Sequence, residues 1–513
     1  MTDHTAEAAG APLADGRSVP DWIVLAIACV AQFMVVLDVS IVNVALPSIG
    51  RDLHYSPTGL QWVVNAYVLT FAGFLLLGGR AADLFGRRRI YLLGLFIFTA
   101  ASLLGGLAQD SAWLTAARAL QGIGGAILSP ATLTIIVTTF KGSRLPRALG
   151  LWSAVAGAGG AAGAILGGVL TAELSWRWVL FVNIPIGVVA MAAAVMYLVE
   201  VRRGDQQQAR SLDFGGAITV TAGLGVFIYA IVGTGTHAWL SGYTLSLLAV
   251  AAVLLVAFVY LQLKVVARPL VPFRLFRSRS VTGANIVMLL IGAAFFSMWY
   301  FLSLYMQNVL GYSALRAGLA FLPMALAIVV GAQTASRILP KSGVRPLLFV
   351  GAALATAGFA WLTQVQAHSS YLAHIFGPGC IISLAIGLLF PALASAATAG
   401  VSYSEAGLAS GVLNTSRQVG GSVGLAALAT IATERTHDLL ETGKGTVSSS
   451  AALTDGYGRA FEGAVVLTLV AFVSSIVVPS IRARRGTSTK EEMPARSPAH
   501  DGPDKLVLGP DLA

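Results

Sequence analysis

Four ionisable side chains fall inside long apolar stretches of this chain: Asp38, Arg118, Arg417 and Glu462. An ion near the centre of a bilayer costs about 2.5–3.5 kcal/mol on insertion scales, so each one requires a partner or a water-filled cavity. Arg118, Gln121, Gly125, Ser129 and Thr132 recur at helical spacing and make one polar stripe. Ser410, Asn414, Arg417 and Gly421 make a second. Both stripes are expected to face a central cavity, although a structural contact from Arg417 to backbone carbonyls is an equal reading. Glu462 lies within a turn of the end of its stretch and reads as a solvated interfacial carboxylate. Boundary positions suffice for Glu173 and Glu405. In "FFSMWYFLSLYMQ" (295–307), Phe296, Tyr300, Ser303 and Gln307 share a face. Such a wall suits bulky, partly apolar, often cationic compounds, because aromatic faces attract cations and large apolar pockets tolerate varied shapes. The alternative is a lipid-facing aromatic belt.

The elements that must position these groups are membrane helices. The chain has 513 residues, of which 56% are hydrophobic and 11% charged, with a mean hydropathy of +0.78. Soluble domains carry about a quarter charged residues. A helix needs about 20 apolar residues to cross a bilayer. Fourteen stretches qualify, near 22–46, 61–79, 90–108, 112–137, 148–172, 177–199, 214–233, 242–262, 281–305, 314–335, 346–366, 371–399, 406–433 and 459–481. The expected fold is therefore an all-α integral membrane protein with 14 transmembrane helices. Residues 1–21 hold Asp3, Glu7, Asp15 and Asp21 without an apolar core, which fits a cytoplasmic tail rather than a signal peptide. The 482–513 tail, rich in proline, charge and small residues, reads as disordered. Cys29 and Cys380 both lie in apolar runs, so neither a disulfide framework nor a thiolate metal site is supported.

Basic residues set the expected orientation, because lysine and arginine resist translocation. With the N-terminus inside, the cytoplasmic loops and tail hold 21 of them against six in the outer loops. Both termini are then cytoplasmic, and the net charge of +10 needs no nucleic acid.

The chain also repeats itself. Shifted by 257 residues, "GLWSAVAGAGGAAGAILG" (150–167) lies over "GLASGVLNTSRQVGGSVG" (407–424), matching Gly163 to Gly420 and Gly167 to Gly424. At the same shift "GRAADLFGRR" lies over "SRILPKSGVR", keeping Arg80/Arg337, Gly86/Gly343 and Arg88/Arg345 and placing Pro340 at Asp83. Spans 1–6 (22–199) then correspond to spans 9–14 (281–481), and spans 7 and 8 (214–262) are an inserted pair. Two parallel six-helix halves are a transporter architecture, with substrate bound between them near the midplane.

Several of these stretches resemble one family. "GRAADLFGRRR" (79–89) is similar to the signature between helices 2 and 3 of the major facilitator superfamily, at Gly79, Asp83, Gly86, Arg87 and Arg88. "LDVSIVNVALP" (37–47), "RALQGIGGA" (118–126), "WRWVLFVNIPIG" (176–187), "LYMQNVLGYSALRAGLAFLP" (304–323) and "GLASGVLNTSRQVGGSVG" resemble its fourteen-span drug:proton antiporter branch of bacterial efflux proteins. The likeness covers residues 22 to 481. It departs at Ala81 and Leu84, where leucine and a basic residue are usual. In span 5, Gly159, Gly163, Gly167 and Gly168 keep the packing glycines, but Ala164 stands where the antiporter signature has proline. Without that bend, span 5 is expected to be straighter.

The resemblance implies a monomeric carrier in the bacterial cytoplasmic membrane that exchanges a small molecule for protons, with no cofactor and no metal. In the family, the aspartate and basic residue of the first signature hold helix 2 against helix 11 when the carrier faces outward. Gly79, Asp83, Gly86 and Arg87 are thus expected to be a conformational latch, with Arg80, Arg88 and Arg89 serving topology or lipid contact. The alternative makes every arginine a topology signal. Spans 1 and 4 line the cavity in this superfamily, and Asp38 and Arg118 lie roughly 6 and 9 Å outward of their span centres at ~1.5 Å per residue. The two side chains can approach, and a carboxylate moved between a cation and an apolar cavity gains and loses its proton. Asp38 lies off the face of Gln32 and Asn43, so a brace between helices is the competing role. Gln121, Phe296, Tyr300, Ser303, Gln307, Asn414 and Arg417 are the expected substrate-cavity residues.

Three function classes remain to be weighed: export of hydrophobic or cationic drugs, carriage of one defined metabolite, and a membrane enzyme or sensor. No clustered His, Cys or carboxylate set suggests catalysis. The chain has no Walker-type phosphate loop either, which argues against an ATP-driven pump.

Overall fold

A computed structural model describes residues 19–140, 144–198, 213–234, 237–267, 269–399, 401, 406–442 and 448–479. The two expected tails lie almost wholly outside these residues, as do Glu405 and the Asp83 side chain. Every regular element among the described residues is a helix, with no strand among them.

The order is α1 (Asp21–Asp52), α2 (Trp62–Phe85), α3 (Arg87–Gly106), α4 (Ser111–Thr139), α5 (Arg144–Glu173), α6 (Trp178–Phe181) and α7 (Asn183–Tyr197). Then come α8 (Phe214–Gly233) and α9 (Gly242–Tyr260). The remainder is α10 (Arg279–Leu304), α11 (Ala314–Ala320), α12 (Leu322–Ser342), α13 (Val344–Leu362), α14 (Gly377–Thr398), α15 (Ala406–Thr442) and α16 (Ser449–Ser474). Twelve helical segments among the described residues are long and apolar enough to cross a membrane, against the fourteen expected. Two further helices, α5 with 30 residues and α15 with 37, also have the length to cross, and polar side chains dilute α15.

Packing repeats between the ends of the chain. The pairs α1–α5, α2–α4, α3–α4 and α3–α7 have counterparts in α10–α15, α12–α14, α13–α14 and α13–α16. The inserted helices α8 and α9 pair with each other, and α8 rests on both α2 and α15. Glycine makes the closest of these contacts possible. A Cβ at Gly159, Gly163 or Gly167 would stand 2.9, 2.7 and 2.8 Å from the carbonyl oxygens of Phe33, Leu37 and Ile41, so α5 runs beside α1 at backbone distance. At the matching positions Gly420 and Gly424 meet Leu289 and Ala293 of α10. The turns α2–α3 and α12–α13 match as well: Gly86 and Gly343 have φ of +96° and +79°, the left-handed region that favours glycine.

Two expectations change. Residues 434–458 fall between the expected spans 406–433 and 459–481, yet α15 runs on to Thr442 and α16 begins at Ser449, bound together where Arg435 donates to Asp455 at 2.6 Å. Span 6 is broken into α6 and α7 at Val182, just before Asn183. Span 5 is an uninterrupted helix, with Ala164 buried at its centre.

Candidate functional site

Asp38 and Arg118 meet inside the α1–α7 group. Arg118 Nη1 lies 2.6 Å from Asp38 Oδ2, with the two side chains 2% and 0% exposed. The other carboxylate oxygen accepts from Gln121 Nε2 at 2.7 Å and from Asn183 Nδ2 at 3.1 Å. Arg118 donates further to Gln121 Oε1 (2.7 Å) and to the Val63 carbonyl (3.0 Å), and its guanidinium lies 4.5 Å from the centroid of the Tyr67 ring. Behind them Ser102 Oγ accepts from Gln121 (3.2 Å) and Asn183 (3.0 Å) while donating to the Leu180 carbonyl (2.8 Å). Five helices, α1 to α4 and α7, thus converge on one carboxylate.

Burying an ion pair repays its desolvation only where the remaining donors and acceptors are also met. Here both Asp38 oxygens are bonded. Ser102, Asn183 and Tyr67 did not stand out in the sequence. The signal for Asn183 was a lone amide inside the apolar run "WRWVLFVNIPIG".

The stripe predicted on α4 divides. Gln121 joins the Asp38 network, Gly125 lies beneath the Tyr67 and Phe71 rings, and Thr132 is fully buried. Ser129 donates to Gln32 at 3.1 Å and lines a cavity of about 1140 Å³. That cavity opens at the end of the bundle carrying the α2–α3 turn. Gly79, Arg80, Trp152, Phe273 and Asn414 are among its walls. Of the expected cavity residues Asn414 alone lines it.

At the opposite end the two groups are closed against each other. Ser303 Oγ donates to the Asn43 carbonyl at 2.7 Å, and Gln307 Nε2 to the Val44 carbonyl at 2.9 Å. Gly168 faces Leu315 of α11, and a Cβ on Gly318 would stand 2.1 Å from the Ala164 carbonyl oxygen. In this state Ser303 and Gln307 therefore make the closure, and Tyr300 is buried against Phe301. Ser303 and Gln307 do not wall an open volume, because the carbonyls of α1 occupy their polar side. Phe296 lies on α15 at Gly421. Arg417 makes no hydrogen bond to a carbonyl among the described residues; its Nε is buried without a partner. Glu462 pairs with Arg459 at 2.7 Å, both about half exposed, as an interfacial carboxylate should be.

At the turn expected to form a latch, Asp83 lies in the last turn of α2 and Arg87 opens α3, on either side of Gly86. Arg88 Nη2 donates to the Val195 carbonyl at 2.7 Å and ties α3 to α7. α2 packs on α15, with Leu76 against Gly411.

A paired helical bundle, closed at one end and hollow at the other, defines a membrane carrier. Residues 28–425 match the family described as the Major Facilitator Superfamily, and the chain belongs to it. It is 45% identical over 459 residues to the cephamycin export protein CmcT of Amycolatopsis lactamdurans, covering 89% of this chain and 92% of that one. To the puromycin resistance protein pur8 of Streptomyces alboniger it is 40% identical, covering 93% and 95%. The tetracenomycin C resistance and export protein of Streptomyces glaucescens is 32% identical, covering 85% and 80%. Among solved structures, the inward-facing, occupied form of a bacterial homologue of the human lysosomal transporter Spinster superposes with a TM-score of 0.65 at 16% identity, covering 89% of this chain and 96% of that one. That likeness concerns the fold alone.

Proposed function

We propose that this chain is a secondary active transporter that exports hydrophobic or cationic drugs or antibiotics in exchange for protons by alternating access. The observation that carries the proposal is the Asp38–Arg118 pair, a titratable carboxylate held by a cation deep in a bundle that encloses a cavity. The names of the relatives, which are export and resistance proteins, support the same reading.

In this reading α5 and α15 also cross the bilayer, which makes fourteen spans in two six-helix halves with α8 and α9 inserted. The basic, hollow end faces the cytoplasm of a bacterial cell, and both termini lie there. The state described is then open inward. Asp38 exchanges a proton when the converging helices shift, Arg118 releases or recaptures its carboxylate, and Asn183 and Ser102 hold Gln121 in line. Asp83 and Arg87 latch the cytoplasmic side in the outward-facing state. The carrier works as a monomer.

The second reading keeps the fold and the coupling but restricts the cargo to one metabolite, such as a self-made product. A relative named for the export of a single compound favours it. Dye efflux from cells expressing the chain decides between the two. Extrusion of several unrelated compounds supports drug export, and extrusion of one candidate metabolite alone supports the second.

A further inference from the structure

We infer that Arg417 is the anion-binding point of the transport pathway, and that the chain accepts amphipathic acids, meaning an aromatic or alicyclic body bearing one carboxylate. This rests on the export reading and names a substrate class within it.

Arginine carries five N–H donors and no acceptor. Arg118 spends its donors on Asp38, Gln121 and Val63. Arg417 has no hydrogen bond and no ion pair among the described residues, and its Nε is buried without a partner. The side chain as a whole is partly exposed rather than fully buried. A permanent cation left in this condition inside a membrane helix is costly and needs an anion or water.

Its surroundings are apolar and aromatic. The guanidinium lies 5.5 Å from the centroid of the Phe390 ring on α14. One turn along α15, a Cβ on Gly421 would stand 2.8 Å from the Phe296 ring, so that ring rests directly on the helix backbone. Phe295 sits edge-on to both, with centroids 6.3 Å from Phe296 and 6.2 Å from Phe390. The cavity reaches Asn414, one helical turn before Arg417 on the same face.

A planar carboxylate fits the guanidinium fork through two parallel hydrogen bonds. The three phenyl rings would cover the apolar body behind it. A cationic cargo meets the opposite field here, and the membrane carboxylate Asp38 is already fully bonded.

The test uses the purified full chain and two probes of equal body, 1-pyrenebutyrate and its neutral amide, with affinities from equilibrium dialysis. The wild-type chain should bind the acid about ten-fold tighter than the amide, the discrimination typical of a hydrogen-bonded charge. Arg417→Gln should weaken the acid alone and bring the two affinities together, and Arg417→Lys should keep part of the preference. Arg417→Gln should also leave the melting temperature unchanged or raise it, because no partner is orphaned. The inference is overturned if the wild-type chain binds both probes equally or binds neither. It is also overturned if the acid preference survives in Arg417→Gln, or if that variant melts lower, which would mark a structural arginine. Proton-driven export of the neutral amide without any acid preference would overturn this inference alone and leave the export reading standing.

Discussion

At the scale of single residues, the weight falls on the groups that bond the buried Asp38 carboxylate. Arg118 is the only cation among them. Removing one partner of a buried pair leaves an uncompensated charge, which typically costs about 3–5 kcal/mol. Arg118→Met should therefore lower the melting temperature sharply, and Asp38→Asn placed in the same chain should restore much of the loss. Equal melting of the single and double variants would show that the pair contributes nothing. Asn183→Leu should cost about 1–3 kcal/mol, since it removes the hydrogen bonds to Asp38 and Ser102 at buried groups. Asp38 and Arg118 were legible in the sequence because charges in apolar runs are rare and stand out. Ser102 and Asn183 were not, since small polar side chains are common in membrane helices and their role appears only when α3 and α7 meet.

At the scale of helices, the glycines of α5 carry the most specific expectation. The Leu37 carbonyl and Ser40 Cβ each lie 2.7 Å from where a Gly163 side chain would begin, and neither can retreat without moving α1. Gly163→Val should cost at least about 1–3 kcal/mol as an overpacked contact, read as a lower melting temperature and yield. Gly160→Ala, one turn face away, meets only Val36 at 3.9 Å and should be tolerated. Comparable losses in both would mean that α5 is sensitive for another reason. The latch belongs to this scale too. Asp83→Asn should slow transport at near-normal expression, and Arg88→Ala, whose bond to Val195 ties α3 to α7, should do much less. Equal losses at matched protein levels would return the motif to a purely topological role. Hydropathy made most of these helices readable, and the 257-residue shift foretold that Gly86 and Gly343 would play one part twice. It could not foretell that Ser303 and Gln307 would bond to α1, because a helical wheel shows which residues share a face but not what the face meets.

At the scale of the whole molecule, the charge asymmetry predicts which end faces the cytoplasm. In intact cells an impermeant thiol reagent should label Ser449→Cys, at the start of α16, and not Ser342→Cys, at the end of α12. The reverse pattern would invert the topology. The central claim is that the buried carboxylate couples export to protons, and the most direct measurement is substrate uptake into inverted membrane vesicles under an imposed pH difference. Asp38→Asn, at wild-type protein levels, should bind substrate yet fail to accumulate it, while Asp38→Glu retains part of the activity. Accumulation against a gradient by Asp38→Asn, driven by the pH difference alone, would contradict the account and leave Asp38 a brace between helices.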